Sequence, residues 1–448
     1  MAADRRTSPT FRLPRFTLLV AALGLAGAAQ AQSLQELYDA ARAYDATYLA
    51  ARALADSAQY RYGQAFALER PTVGVGASAT RTETDPPGSV PRDRYGSTVT
   101  NVGLTAKYAV FNRGNSVTIE QSRLNVDVSQ SDLESAEQDL IVRVAQAYFD
   151  VLAAQDALGT SRANKAAIAE QLASAKRNFE VGTATITDTR EAQARFDLAT
   201  AQELAADNDL RVKGVTLDQL VGRVGVQPKP LAAPVALPPV VPSSVDVWVS
   251  QAEGNHPVIR KARLGLDVAR LEIDKAKSAR LPTVDLTGNL GAQRQTGTGL
   301  TYTGNTPSAS VAVALNMPIY SGGAITNRIK ETVSLEEKSR NDLDFARRSV
   351  EEGTKRAFFG VQSLQAQVKA YEAAEASTKL ALEATQLGYK VGVRVNLDVL
   401  NAQTQLYTTQ RDLAKARYDV LVNGLKLRQA SGQLRPEDVT AVNTLLAP

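Results

Sequence analysis

Between Val102 and Val110 the chain alternates without a slip: Val102, Leu104, Ala106, Tyr108 and Val110 are apolar, and the residues between them, Gly103, Thr105 and Lys107 among them, are polar or small. A period of two is the mark of a strand with one apolar and one wet face. Three more runs share it: Val73, Val75, Ala77 and Ala79; Val284, Leu286 and Leu290; and Val311, Val313, Leu315 and Met317. They predict strands over about 72–82, 98–111, 283–293 and 308–319. Pro71 and Pro282 stand at the entries to the first and third, where a helix must stop. Polar loops, Glu83 to Gly96 and Gln293 to Pro307, separate the members of each pair.

The rest of the chain has a helical period. From Asn115 to Phe179 there is no Pro and a single Gly, Gly159. Apolar residues fall at Leu133, Ala136, Leu140, Val144, Ala147, Val151, Ala154 and Leu158, in steps of three and four. That is a coiled-coil-like seam on a rod of roughly 95 Å. Ile329 to Tyr389 predicts a second rod. Preceding helices are expected from the capping-box pattern Ser33-Leu34-Gln35-Glu36 to about Leu68, and from Ser243–Asp246 to about Ala279. Tyr148-Phe149 and Phe358-Phe359 are expected in the helical core, and His256 at the surface or as a cap.

The order helix, strand, strand, long helix, turn, helix is thus written twice. VGTATITDTREAQ from Val181 returns as VGVRVNLDVLNAQ from Val391, and the register holds without a gap from Asp132 to Gly222 against Asp342 to Gly432. A repeat this long is a duplicated structural unit. It divides the chain into 1–31, a first repeat 32–222, a linker 223–242 rich in Pro, a second repeat 243–442, and a tail 443–448. Gly182 and Gly392 read as left-handed helix C-caps. Asp188 and Asp398 stand where a helix restarts, so an N-cap is the first reading and a pairing between unlike copies the second. The copies differ at Phe179/Tyr389, Ala184/Arg394 and Thr187/Leu397.

Composition narrows the function. Aromatic residues are 6 % of the chain, a poor supply for a thick globular core. Cys is absent, which removes disulfides, thiolate metal sites and an N-terminal lipid-bearing Cys. With His256 as the one His, a multi-His metal centre cannot be built within a chain, and a Ser/His/Asp set is not expected. No phosphate-cradling glycine loop is present either, so neither an enzyme nor a cofactor is expected. Residues 1–31 read as a secretory signal: Arg5, Arg6, Arg12 and Arg15, an apolar run from Phe16 to Gly27, then Ala29-Gln30-Ala31. Those residues hold four Arg and one Asp, so the net charge falls from +4 to about +1 without them, and nothing favours a nucleic-acid partner.

The strands carry an environmental consequence. Four strands cannot close a barrel, and open edges left in lipid would strand backbone N–H and C=O groups at several kcal/mol each. If these strands span a membrane, several chains must share one barrel, and three chains supply about twelve strands. The alternative is a soluble periplasmic coiled-coil scaffold or adaptor whose strands form a small water-facing sheet.

Taken together, the duplicated order, the Pro71 and Pro282 strand entries and the paired VGTATITD and VGVRVNLD turns resemble the TolC-like outer-membrane efflux proteins, over essentially the whole chain after residue 31. The resemblance implies a mainly α fold with a membrane β-barrel part. It implies a homotrimer with a twelve-stranded barrel in outer-membrane lipid, standing on a long α-helical barrel that crosses the periplasm and tapers to a closed end. It implies an export duct for small molecules or unfolded proteins, with a periplasmic adaptor and an inner-membrane pump or ABC transporter as partners. Carried over by position, Gln171, Thr187, Asp188, Tyr389 and Arg394 would link neighbouring inner helices at the closed end, Asp188 accepting from Tyr389 and Arg394 reaching Gln171 and the Thr187 region. Asp398 would point into the pore as an acidic ring, and Asn401 stands where the family pattern often has a second Asp.

Overall fold

The computed structural model describes residues 31–84, 95–235, 237–298 and 303–447. Residues 1–30 of the expected signal segment and residues 85–94, with Pro86-Pro87, therefore lie outside the described residues.

The four strands are β1 (Thr72–Thr84), β2 (Tyr95–Phe111), β3 (Thr283–Gly297) and β4 (Gly304–Asn316), in one antiparallel sheet of order β1-β2-β3-β4. The β2–β3 ladder joins the two repeats. Register carries the alternation across all four strands. Val75, Leu104, Leu290 and Ala309 form one row, and the adjoining row is Gly74, Thr105, Asn289 and Ser310. The apolar face is bare: Val75 is 77 % and Val311 79 % exposed. On the other face Lys107 pairs with Asp285 at 3.5 Å. The last strand sits earlier than the expected 308–319, because Pro318 has no N–H to give a ladder. Tyr108, Phe111 and Tyr320 are exposed near strand ends; Tyr302 and the Tyr95 side chain lie outside the described residues.

The rods are α3 (Arg113–Glu180, 68 residues) and α7 (Ala324–Lys390, 67 residues), each about 100 Å long at 1.5 Å per residue. Each turns back into a shorter partner, α4 (Ile186–Val221) and α8 (Asn396–Ala430), and packs along it. The single helices expected before each strand pair are both broken. The first is α1 (Leu34–Tyr44) and α2 (Ala46–Phe66), parted at Asp45. The Asp45 carboxylate accepts the Tyr48 N–H at 2.8 Å and both arms of the Arg143 guanidinium at 2.9 Å, so a tertiary ion pair fixes the kink. The second is α5 (Val245–Asn255) and α6 (Pro257–Ser278), parted at His256, whose Nδ1 accepts the Val258 N–H at 3.2 Å. The capping reading of His256 holds.

Midway along the rods a core gathers from both repeats: Leu37 and Tyr38 of α1, Tyr148 and Phe149 of α3, Leu217 of α4, Tyr418 and Leu421 of α8, and Val439 of α9 (Pro436–Asn443). Each fully buried large side chain contributes about 1.5–3 kcal/mol. The Tyr148 hydroxyl reaches the carbonyl oxygens of Gln32 (3.2 Å) and Lys229 (2.9 Å), tying the N-terminal segment and the linker to the rod. Tyr418 donates to Asp156 at 2.7 Å and stacks on Phe149. Burial pushes both phenols far above their usual range, so they stay protonated donors. Phe358 is buried as expected, but Phe359 is 55 % exposed. Successive helical residues point about 100° apart, so Phe358 packs with Trp248 of α5 and Leu427 of α8 while Phe359 points away from them. Among the described residues no helix is long and apolar enough to cross a membrane.

Candidate functional site

At the end of the rods away from the sheet, the two copies of the repeated sentence fold into the same turn. Gly182 has φ +80° and Gly392 φ +76°, left-handed conformations that only glycine adopts without strain. In the first turn Gly182 N–H bonds to Phe179 O (3.0 Å) and Thr183 N–H to Asn178 O (2.8 Å); in the second, Gly392 N–H bonds to Tyr389 O (3.1 Å) and Val393 N–H to Gly388 O (2.9 Å). These are Schellman-type closures of the last carbonyls of α3 and α7.

The helix restarts then diverge. Thr185 is the N-cap of α4; its hydroxyl accepts the Asp188 N–H at 3.2 Å, and the Asp188 carboxylate accepts the Thr185 N–H at 2.9 Å. Asp188 is therefore the third helical residue of a capping box and not the N-cap itself. In the second copy Val395 stands where Thr185 stood, and α8 has no side-chain cap. Asp398 is left to pair with Arg394 at 3.6 Å, one turn back. Gly388 makes this possible: a Cβ there would lie 2.8 Å from Arg394 Cγ.

Two contacts join the turns. Asn178 Nδ2 donates to the Tyr389 hydroxyl at 3.3 Å, and Arg195 Nη2 donates to Asn401 Oδ1 at 2.9 Å. Within one chain Tyr389, Asp188 and Arg394 take other partners. Tyr389 is engaged by Asn178 instead of Asp188, whose carboxylate is held by its own N-cap. Arg394 reaches Asp398 instead of Gln171 or Thr187, and those two residues make no side-chain hydrogen bond among the described residues. Sequence reasoning missed Asn178, Thr185 and Arg195. The signal was in the comparison of copies: Asn178 stands opposite Gly388, Thr185 opposite Val395 and Arg195 opposite Gln405.

Asp398 and Tyr389 are half-buried and Arg394 is exposed, so charge and hydroxyl face a wet space. Beneath them Ile168, Leu172, Ala175, Ala192, Ala199 and Leu400 form a small apolar cluster joining α3, α4 and α8. Among the described residues no cluster of His, Cys, Asp and Glu could hold a metal ion. The groups here are donors and acceptors for weak, reversible links.

Comparison with known proteins agrees with this architecture. The family profile described as Outer membrane efflux protein matches residues 37–223 and 248–433, one match to each repeat. The outer membrane protein TolC of Vibrio cholerae is 32 % identical over 434 residues, covering 96 % of this chain and 97 % of its own length. The alkaline protease secretion protein AprF of Pseudomonas aeruginosa is 34 % identical over 317 residues, 70 % of this chain and 66 % of its own. The fold matches the Campylobacter jejuni CmeC outer membrane channel with a TM-score of 0.79 at 18 % identity, covering 92 % of this chain and 90 % of that one. It matches the outer membrane protein VceC of Vibrio cholerae with a TM-score of 0.76 at 19 % identity, covering 89 % and 96 %. The soluble scaffold reading is thereby set aside, since the matched family and the TolC relative are described as outer-membrane proteins. With its duplicated rods, its sheet bare on the apolar face and a family match to both halves, the chain belongs to the outer membrane efflux protein family, as a channel component of the outer membrane.

Proposed function

We propose that three copies of this chain close one twelve-stranded barrel in the outer membrane and one helical barrel below it, forming a passive exit duct across the periplasm. The observation that carries this reading is the sheet itself, whose outer strands β1 and β4 are open edges and whose apolar face is uncovered. In lipid each edge must pair, and β4 of one copy against β1 of the next satisfies both. The two repeats, 32–222 and 243–442, are then six equivalent sectors of one tube.

The distal turns are the closed end of that tube. Gln171, Thr187, Asp188, Tyr389 and Arg394 are its gate residues, reaching across to neighbouring copies when the end is shut. Asp398 supplies an acidic ring that Arg394 partly neutralises, and Asn401 takes the place of a second acidic ring. A periplasmic adaptor and an inner-membrane pump open the end and supply the energy that a passive duct lacks. The cargo is small molecules or unfolded proteins; one relative's name speaks of protease secretion, which favours the latter.

Chemical cross-linking of detergent-purified protein and planar-bilayer recording test this together. A ladder ending at three copies and discrete channels are expected. A monomer without conductance would overturn the reading.

A further inference from the structure

Where strands meet rods, most carboxylates have a partner, and three arginines have no ion-pair partner among the described residues. Glu69 accepts from the Ser116 hydroxyl at 2.7 Å. Asp274 pairs with Lys277 at 3.6 Å, Asp285 with Lys107 at 3.5 Å, and Glu272 and Glu331 both pair with Arg328 (2.6 and 2.8 Å). Arg70, Arg113 and Arg280 are exposed at the exits of α2, β2 and α6, and none has an ion pair among the described residues. Arg70 lies over the Phe66 ring at 4.8 Å, and Arg280 donates to the Thr326 hydroxyl at 3.3 Å, so their stems are held while guanidinium donors remain free.

Each stands just past the end of its own strand's apolar run: Arg70 is three residues before Val73, Arg113 three after Val110, and Arg280 four before Val284. At the fourth exit Ile319 and Tyr320 are 98 % and 89 % exposed. At the other end of the band Arg81 pairs with Glu83 at 3.0 Å, while Arg294 is exposed without an ion pair among the described residues. Trimer closure brings no carboxylate to Arg70 either: the stretch beside it would be Asn316 to Asn327 of the next copy, which contains no Asp or Glu.

We propose that Arg70, Arg113 and Arg280 form a collar that binds the phosphate headgroups of anionic phospholipids in the periplasmic leaflet, an inference that rests on the trimeric-barrel reading above. A guanidinium fork matches a phosphate by two parallel N–H bonds. The exposed Ile319 and Tyr320 beside the arginines suit the boundary between acyl chain and headgroup. Each basic residue at an anionic surface is worth about a fivefold enrichment.

The full-length trimer is reconstituted in phosphatidylcholine vesicles with or without phosphatidylglycerol, re-extracted, and its retained lipid measured. Wild type is expected to be enriched in phosphatidylglycerol, and R70Q/R113Q/R280Q to lose that enrichment by at least fivefold. K338Q/R356Q, which removes two cations from the rods, should leave it unchanged. Sodium phosphate at matched ionic strength should not displace the lipid; displacement would assign the site to free phosphate and overturn the lipid assignment. Equal lipid retention by wild type and the triple variant also overturns it. Should the triple variant fail to assemble, R70Q against R70K decides, since only the former loses the charge. Bilayer conductance of the same preparations separates the two failures: conducting channels without lipid preference sink the collar alone, and no channels sink the barrel.

Discussion

The Asn178 side-chain amide donates to the Tyr389 hydroxyl at 3.3 Å, linking the last turn of one rod to the last turn of the other across 211 residues of sequence. Neither partner has an equivalent in the opposite copy, where Gly388 and Phe179 stand. The link therefore exists only because the duplicated halves diverged. A neutral hydrogen bond contributes about 0.5–1.5 kcal/mol, a two- to tenfold bias in a two-state equilibrium. Tyr389→Phe and Asn178→Ala should each raise the open fraction in single-channel recordings by that factor. The double variant should add little beyond either one, and full additivity would show that the two do not act through their shared bond.

The Arg394–Asp398 pair, with side chains 63 % and 37 % exposed, is a surface ion pair of about 0–1 kcal/mol, and its weight lies in charge instead of stability. Asp398→Asn should move the reversal potential in a salt gradient toward anions, and Arg394→Ser toward cations. The effect should shrink in molar salt, where charges are screened within about 3 Å. Identical reversal potentials in all three proteins would remove this pair from the conduction path.

Thr185 and Val395 offer a reciprocal exchange. Thr185→Val removes the cap of α4 and should cost about 1 kcal/mol, read as faster amide exchange in residues 186–189. Val395→Thr should slow exchange at the start of α8 and compete with Arg394 for Asp398. No change in either turn would mean that the turns are held by packing alone.

His256 supplies a pH dependence with a definite sign. Burial lowers its pKa from 6.5 to about 4, and protonation would also remove the Nδ1 acceptor that holds the Val258 N–H. Between those values the unfolded chain binds the proton that the folded chain refuses, so stability is complete above about 6.5 and declines as pH falls toward 4. His256→Asn keeps a cap without titrating in this window. Thermal melts from pH 7 to 4 should show a shallower decline in the variant, and parallel curves would exclude His256 as the cause.

Much of this molecule was already decided by local chemistry. Alternation at Val102 to Val110 places a strand, the unbroken seam from Leu133 to Leu158 places a rod, and Gly182 and Gly392 place the turns; each depends only on neighbours in sequence. The duplication of these signals was legible for the same reason. What the sequence did not carry is the relative rotation and stagger of rods about 100 Å long. That geometry joins Asn178 to Tyr389 and Arg195 to Asn401, and it breaks the first helix at Asp45 through an arginine 98 residues away. It also decides which groups are already spent: the Asp188 carboxylate is held by Thr185, three residues away, in a capping box. Local periodicity determined the elements, and the packing of one copy against its diverged twin decided which side chains meet.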